Sequence, residues 1–455
     1  MSSSNSKLIL HTLIVFAAFV MCDVGTVRSQ ISTQTPTTNK RYLVYGGLWG
    51  FDGTFPGAFD EAVNDGFNAI RIHVPWAGIQ RTDGTWDFSF LDQEVAYVVG
   101  TKNLPVAFLI QLLRPSSNGS DSVLSPGDVM RDSSGGCFCQ PWGGQLSFAS
   151  DNFIQTANTF IQAVVSRYQA KYPQSILYVA IGTTLSAEAG YPASRMSDYS
   201  PIAIAKFRNW LQTKYASINN LNLAWGTSFS DFNSVTPPSD LNTIWNNVSG
   251  FEWYNFRHYM LKQALASFAA TIHGISPSLR YGVQFGSTFD GSSDGRGTIN
   301  FPDLIGNADV VWNDDAPSYN HSYSMDLLRS NSSNKWIGND IDGPTVSSNP
   351  DVDYLLQATQ SFAHGATLVS VSNWNQVDLQ NHRPLWSKIA SLLSQPVTAG
   401  PAVSSAMTES AYNIVRTWGT TSYQAKYQML SNNGADWVFV VRRDDLYNNS
   451  AFNPR

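Results

Sequence analysis

Eight short apolar runs, longer stretches of helical pattern between them, and 455 residues with 43% hydrophobic content predict an α/β fold, a (β/α)8 TIM barrel with a small C-terminal β appendage. Alternation of strand and helix patterns is the mark of βα units that close into a parallel sheet. A chain of this length can bury one large core without dividing into several domains. In order, the runs are "RYLVYGGLWG" from Arg41, "FNAIRIHVPW" from Phe67, "LPVAFLIQLL" from Leu104 and "ILYVAIG" from Ile176. They continue with "LRYGVQFG" from Leu279, "ADVVWNDD" from Ala308, "KWIGNDIDG" from Lys335 and "ATLVSVSNWN" from Ala366. Between them, Asp151 to Tyr172 and Tyr254 to Ile275 read as helices, the second with Met260, Leu261, Leu265, Phe268 and Ile272 at helical spacing. The barrel is expected over 41–397. Two strand-like runs, "AYNIVRTWG" and "DWVFVVRRDD", make 398–455 the β-rich appendage.

Ahead of the barrel, Lys7, the apolar stretch Leu8 to Met21 and the small residues around Val27-Arg28-Ser29 form the pattern of a secretory signal peptide over 1–29. Cleavage is expected before Gln30, with a polar linker over 30–40 and an extracellular destination; a signal anchor is the alternative. After that segment no run reaches the roughly 18 apolar residues of a membrane span. Once Cys22 leaves with the signal, only Cys137 and Cys139 remain, too few for a disulfide framework or a four-ligand zinc site. They form either a local disulfide or two free thiols. Sequons at Asn118, Asn247, Asn320, Asn331 and Asn448 are glycosylation candidates for a eukaryotic secreted protein.

A net charge of -6 and the lack of a basic patch argue against a nucleic-acid partner. The 14 Trp and 19 Tyr, set against 14% charged residues, suit a partner that is neutral and rich in hydroxyls. An oligosaccharide, polysaccharide or other glycoside fits, because sugar C–H faces stack on aromatic rings and hydroxyls pair with amides. Hydrolysis of such a ligand needs two carboxyl groups and neither metal nor organic cofactor.

Only five Glu occur: Glu61, Glu94, Glu188, Glu252 and Glu409. Glu61 and Glu94 fall in helical patterns, Glu252 precedes a long helix and Glu409 lies in the tail, so only Glu188 follows a strand on the rim where barrel enzymes place their chemistry. Among Leu185, Ala187, Ala189 and Tyr191 its carboxyl would be partly desolvated, which favours the protonated form that a general acid requires. The competing role is a loop Glu that caps a helix or pairs with Arg195. Arg71 and His73 end the second strand. Trp49, Trp76, Trp312 and Trp374 stand at the ends of other runs as stacking platforms, and Gln111, Gln284, Asn373 and Asn375 offer hydroxyl contacts.

"IRIHVPWAGIQRTDGTWDFSFLDQEVAYVVGTKNLPVAFLI" resembles the second and third βα units of the family 42 β-galactosidases and of their clan of retaining barrel glycosidases. "YSPIAIAKFRNWLQTKYASINNLNLAWGTSFSDF" is similar to the segment after their acid/base strand. "ADVVWNDDAPSY" and "AHGATLVSVSNWN" look like the sixth and eighth strands. The resemblance implies a barrel glycosidase with Glu188 as general acid, Arg71 near the nucleophile and Tyr319 hydrogen-bonded to it. Ala187 stands where the family has Asn, and the string around Glu188 is instead similar to the catalytic-acid segment of plant-type β-amylases.

On the seventh strand, where the clan carries a nucleophilic Glu, "NKWIGNDIDGPTV" offers Asp340 and Asp342, which period-2 alternation turns the same way. An ungapped reading from Gly343 places Asn339 at that position, and Asp314 and Asp315 are further candidate bases. The shorter Asp side chain withdraws the carboxylate, and a wider gap favours inversion over a covalent intermediate. Two rivals stand beside a β-galactosidase-like hydrolase: an inverting glucan hydrolase, and a carbohydrate-binding pseudo-enzyme.

Overall fold

The protein is described by a computed structural model over residues 40–47, 55–114, 121–140, 143–193, 196–239, 245–288 and 293–394, and over three strands nearer the C-terminus. Each apolar run supplies one barrel strand: β1 Tyr42–Gly46, β2 Ala69–Pro75, β3 Val106–Gln111 and β4 Ile176–Gly182. The second half follows with β5 Tyr281–Phe285, β6 Val310–Asp314, β7 Trp336–Ile341 and β8 Leu368–Val371. They pair in parallel and close in the order β1-β8-β7-β6-β5-β4-β3-β2. Residues alternate sides along a strand, so Tyr42 and Val44 pack inside with Ala107, Tyr178, Trp312 and Leu368, while Leu43 and Tyr45 pack outward under the helices. Register then sets the levels. Asp314 of β6 pairs with Asp340 of β7, and Asp340 with Ser370 of β8.

Helices wrap the sheet, among them α1 Gly57–Asn64, α2 Ser89–Ala96, α3 Asp151–Lys171, α4 Pro201–Tyr215 and α5 Val248–Ile275. Later come α6 His321–Asn331, α7 Pro350–Ala363 and α8 Arg383–Ser391. Side chains of Ser150, Ser200 and Asn247 accept backbone N–H groups at the starts of α3, α4 and α5, satisfying donors the helix leaves unpaired. The Asn247 cap starts α5 earlier than its apolar stripe indicates, so Glu252 lies inside the helix, bound to Lys214 and Tyr215. That extension also builds a satellite core absent from the sequence reading. Phe207 and Leu211 of α4 pack there with Trp245, Trp253 and Phe256.

Beyond the barrel, β9 Thr408–Ile414, β10 Ala425–Asn432 and β11 Ala435–Arg442 form an antiparallel sheet in that order. The middle strand was not anticipated, because "AKYQMLSN" lacks the β-branched residues that mark a strand. Cys137 and Cys139 are joined as a disulfide. Among the described residues no helix is long and apolar enough to cross a membrane.

Candidate active site

The C-terminal ends of the strands surround a cavity of about 340 Å³. Gly46 and Gly47 border it at β1, Arg71 and His73 at β2, Leu109 at β3, and Ser186 and Glu188 after β4. Gln284, Gly286 and Arg296 follow from β5 and its loop, then Asp314, Ala316 and Tyr319 from β6. Asp340, Asp342, Ser372 and Asn373 complete the wall. Of the residues expected from sequence, Glu188, Asp340, Asp342, Asp314, Arg71, His73, Gln284, Tyr319 and Asn373 therefore meet in one place.

Glu188 reaches the cavity through a tight turn. Ala187 adopts a left-handed backbone with φ 58°, and a side chain at Gly182 would fall 2.5–2.8 Å from the Ala187 backbone, so only glycine lets the loop fold back over the strand end. The N–H groups of Thr183 and Thr184 donate to the Glu188 carbonyl at 3.0 and 3.1 Å, and the Glu188 N–H donates to Thr184 Oγ1 at 3.1 Å. Glu188 is 4% exposed, and its carboxylate is ion-paired with Arg296. The apolar surroundings expected to favour a protonated acid thus contain a guanidinium, which favours the charged form. Arg195, the partner considered from sequence, lies outside the described residues.

Asp340 points into the barrel and is held from four sides. Arg71 Nη2, Gln284 Nε2 and Ser372 Oγ donate to Oδ2 at 3.2, 3.1 and 2.8 Å, and Ser370 Oγ donates to Oδ1 at 2.7 Å. Asn339 faces the other way, toward His321 and Ser361, which removes it from the site. Asp342, one residue beyond β7, receives no side-chain hydrogen bond among the described residues; burial and then the charge of Asp340 push its carboxyl up to about 6. Asp314 lies well above the ordinary carboxylate range, through burial and the charges of Asp342 and Asp340, with Arg296 and Arg71 pulling it back. Asp315 turns outward to accept from Ser324 Oγ at 2.5 Å, so it is no base for this cavity. Burial pushes His73 down to about 4, and the neutral ring bonds Gln111 Oε1 at 3.0 Å. Gln111 itself sits behind the wall, its amide donating to the Thr184 and Leu185 carbonyls; it positions His73 and the Glu188 loop.

The tryptophans are where the structure departs most from expectation. Trp76 is fully buried on the outer side, stacked on Phe160 of α3 at 5.3 Å between ring centroids. Trp374 is also fully buried, its ring packed on Trp386 and its Nε1–H donating to the Asp342 carbonyl at 2.8 Å. Trp312 fills the barrel interior beside Tyr178. None of the three lines the cavity, and Trp49 lies outside the described residues. The remaining glutamates are accounted for elsewhere: Glu61 is tied to Arg383 and Gln380, Glu94 is buried in α2, and the Glu409 side chain is not described. Arg296 had no sequence signal beyond a basic residue in a glycine-rich loop. Its guanidinium lies over Gly286, where any side chain would collide with it.

The geometry is that of a carboxylate-bearing pocket on a TIM-barrel rim, and comparison with known proteins agrees. The β-galactosidase BgaB of a Geobacillus species is 20% identical over 289 residues, 58% of this chain and 38% of that protein. A thermophilic β-amylase of Thermoanaerobacterium thermosulfurigenes is 28% identical over 149 residues, 29% of this chain and 26% of its own length. This chain therefore spans well under half the length of either relative. The solved catalytic domain of a Paenibacillus polymyxa β-amylase superposes with a TM-score of 0.62 at 16% identity, covering 78% of this chain and 98% of that domain. The glycoside hydrolase family 42 model, described as β-galactosidase, matches residues 58–387, and the chain belongs to that family.

Proposed function

We propose that this protein hydrolyses O-glycosidic bonds, with β-galactosides as the first substrate class, and that Glu188 and Asp342 are the two carboxyl groups of the reaction. The observation that carries this reading is the rim cavity in which both carboxyls converge, in a chain of this family. Glu188 takes a proton from solvent as the glycosidic oxygen displaces Arg296 as its partner, and then gives that proton to the departing oxygen. Asp342 attacks the anomeric carbon or activates water. It is preferred to Asp340 because four donors occupy the Asp340 oxygens, whereas the Asp342 carboxyl has no such claim on it. A group poised near 6 is mostly ionised at neutral pH, as a base or nucleophile must be. His73, Tyr319 and Asn373 supply hydroxyl contacts.

Glu188→Gln separates the roles. Loss of a general acid lowers kcat by ~10²–10⁴ on natural glycosides with poor leaving groups. On dinitrophenyl glycosides, whose leaving group needs no proton, the loss should be far smaller. Equal loss on both classes would refute the acid role, and a wild type that binds glycans but cleaves none would favour a binding protein. A second reading, α-glucan hydrolysis with inversion, draws support from the match to a β-amylase catalytic domain. NMR of the first-formed product anomer on maltooligosaccharides and on galactosides decides between the two. Lys7 through Ser29 support secretion, and an N-terminus at Gln30 on protein recovered from the medium of a eukaryotic host is the expected result.

A further inference from the structure

The turn that carries Glu188 and the turn that carries Arg296 are locked together through their backbones. Three successive carbonyls of the second turn are pinned. Arg257 Nη2 of α5 donates to Gly295, the Tyr191 N–H donates to Arg296 at 3.0 Å, and the Nδ1–H of His258 donates to Gly297 at 2.9 Å. Glycines let the two turns approach. A Cβ at Gly190 would lie 3.0 Å from the Arg296 carbonyl oxygen, and one at Gly297 would lie 3.1 Å from the Tyr191 ring. Behind them the buried Arg257 guanidinium lies 4.3 Å from the centre of the Tyr191 ring, whose hydroxyl donates to the Arg257 carbonyl.

The backbone therefore holds Arg296 against Glu188, and only its side chain is left to move. A long side chain changes rotamer far more readily than a pinned turn changes path. The guanidinium lies over Gly286, whose missing Cβ is what gives it a seat. Asp314, at the end of β6, is within electrostatic reach of the same guanidinium and offers it a second carboxyl. Arg71, the other arginine on the cavity wall, is bound to Asp340, and His73 is bonded to Gln111, with Asp342 and Tyr319 completing the ionisable lining. A general acid must hold a proton and present it to the leaving oxygen, and an ion pair with a guanidinium opposes both.

We propose that Arg296 is a positioning residue that locks Glu188 in the empty site and, when a glycoside enters, turns its guanidinium toward Asp314 to release it. This rests on the glycosidase reading above and adds a control step to it: the acid becomes competent only with substrate in place.

The test is a ¹³C NMR titration of the glutamate carboxyls, with the Glu188 signal assigned by its loss in Glu188→Gln. Two variants disturb the lock by different means. Arg296→Met removes the charge and keeps a long side chain, whereas Gly286→Ala keeps the charge and places a methyl where the guanidinium sits. In the free protein both should raise the Glu188 midpoint by at least about one pH unit over wild type, as the loss of an adjacent opposite charge provides. Galactose or maltose at saturation should raise the wild-type midpoint by a similar amount and leave that of Arg296→Met nearly where it was. A residue that only braced the fold would leave the Glu188 midpoint unmoved. Equal midpoints in wild type and Arg296→Met would overturn the proposal, as would a wild-type midpoint unchanged with sugar bound. If Gly286→Ala alone matched wild type, the seat over Gly286 would be refuted as the locked position. Cleavage of lactose or maltooligosaccharides with equal midpoints removes this proposal and leaves the glycosidase reading intact. Absence of cleavage on every glycoside removes that reading, and the titration still decides whether Arg296 locks Glu188.

Discussion

Asp340→Asn isolates the electrostatic coupling on which the proposed reaction depends. Asp342 is raised from 3.8 to about 6, with burial as the larger cause and the charge of Asp340 as the smaller. Because kcat/KM requires the ionised form, wild-type activity should climb with pH to a midpoint near 6 and stand at about a tenth of its plateau at pH 5. Asp340 accounts for less than half of a displacement of about two units, so neutralising it should lower the midpoint by up to about one unit, or ~1.4 kcal/mol. The variant would then keep up to about half of its own plateau at pH 5. Asp314→Asn is the contrast. The charge that raises Asp342 is that of Asp340, so removal of Asp314 should move the midpoint less than removal of Asp340 does. The assay is the pH profile of kcat/KM on an aryl galactoside between pH 4 and 8. If Asp340→Asn leaves too little activity, ¹³C NMR of the aspartate carboxyls follows the same titration directly. A midpoint fixed at 6 in Asp340→Asn, or one near 4 in wild type, would refute the coupling.

Two further expectations concern stability. A carboxyl that ionises less readily in the folded than in the unfolded chain contributes stability that is complete below about 4 and is lost as pH rises through about 6. Asp342→Asn should therefore be more stable than wild type at pH 7, by about 1–3 kcal/mol after allowance for its partial exposure, and nearly equal to it at pH 4. Urea unfolding at the two pH values measures the difference. Trp76→Ala empties a buried site between β2 and α3 and should cost ~3–5 kcal/mol. KM of the folded fraction should be unchanged, and a raised KM would restore Trp76 to the sugar site.

What the sequence disclosed follows from which signals are local. Barrel strands buried on both faces read as Val- and Ile-rich runs, and all eight emerged where the runs stand. Glu188 was legible because glutamate is scarce in this chain and only one follows a strand. The tryptophans misled because a place near a strand end gives height along the barrel but not the side on which the residue faces. Parity counted from the inward Arg71 through His73 and Pro75 turns Trp76 outward, where it was found. Trp312 does face inward, but one layer too deep. Arg296 could not be read at all. Its pairing with Glu188 depends on the space above the nearby Gly286 and on a loop whose path is fixed by the Tyr191 N–H donating to the Arg296 carbonyl, a contact between segments about a hundred residues apart.

The two halves of this site differ in mechanical character. Asp340 lies in β7 and Asp342 one residue beyond its end, so their spacing is set by the strand and its immediate continuation rather than by a long loop. Glu188 instead rides on a turn folded over Gly182 and faces an arginine from another turn. One side of the cavity is thus set by strand geometry and the other by the meeting of two turns. Substitutions that alter either turn therefore shift Glu188 and Arg296 against each other while leaving Asp340 in place.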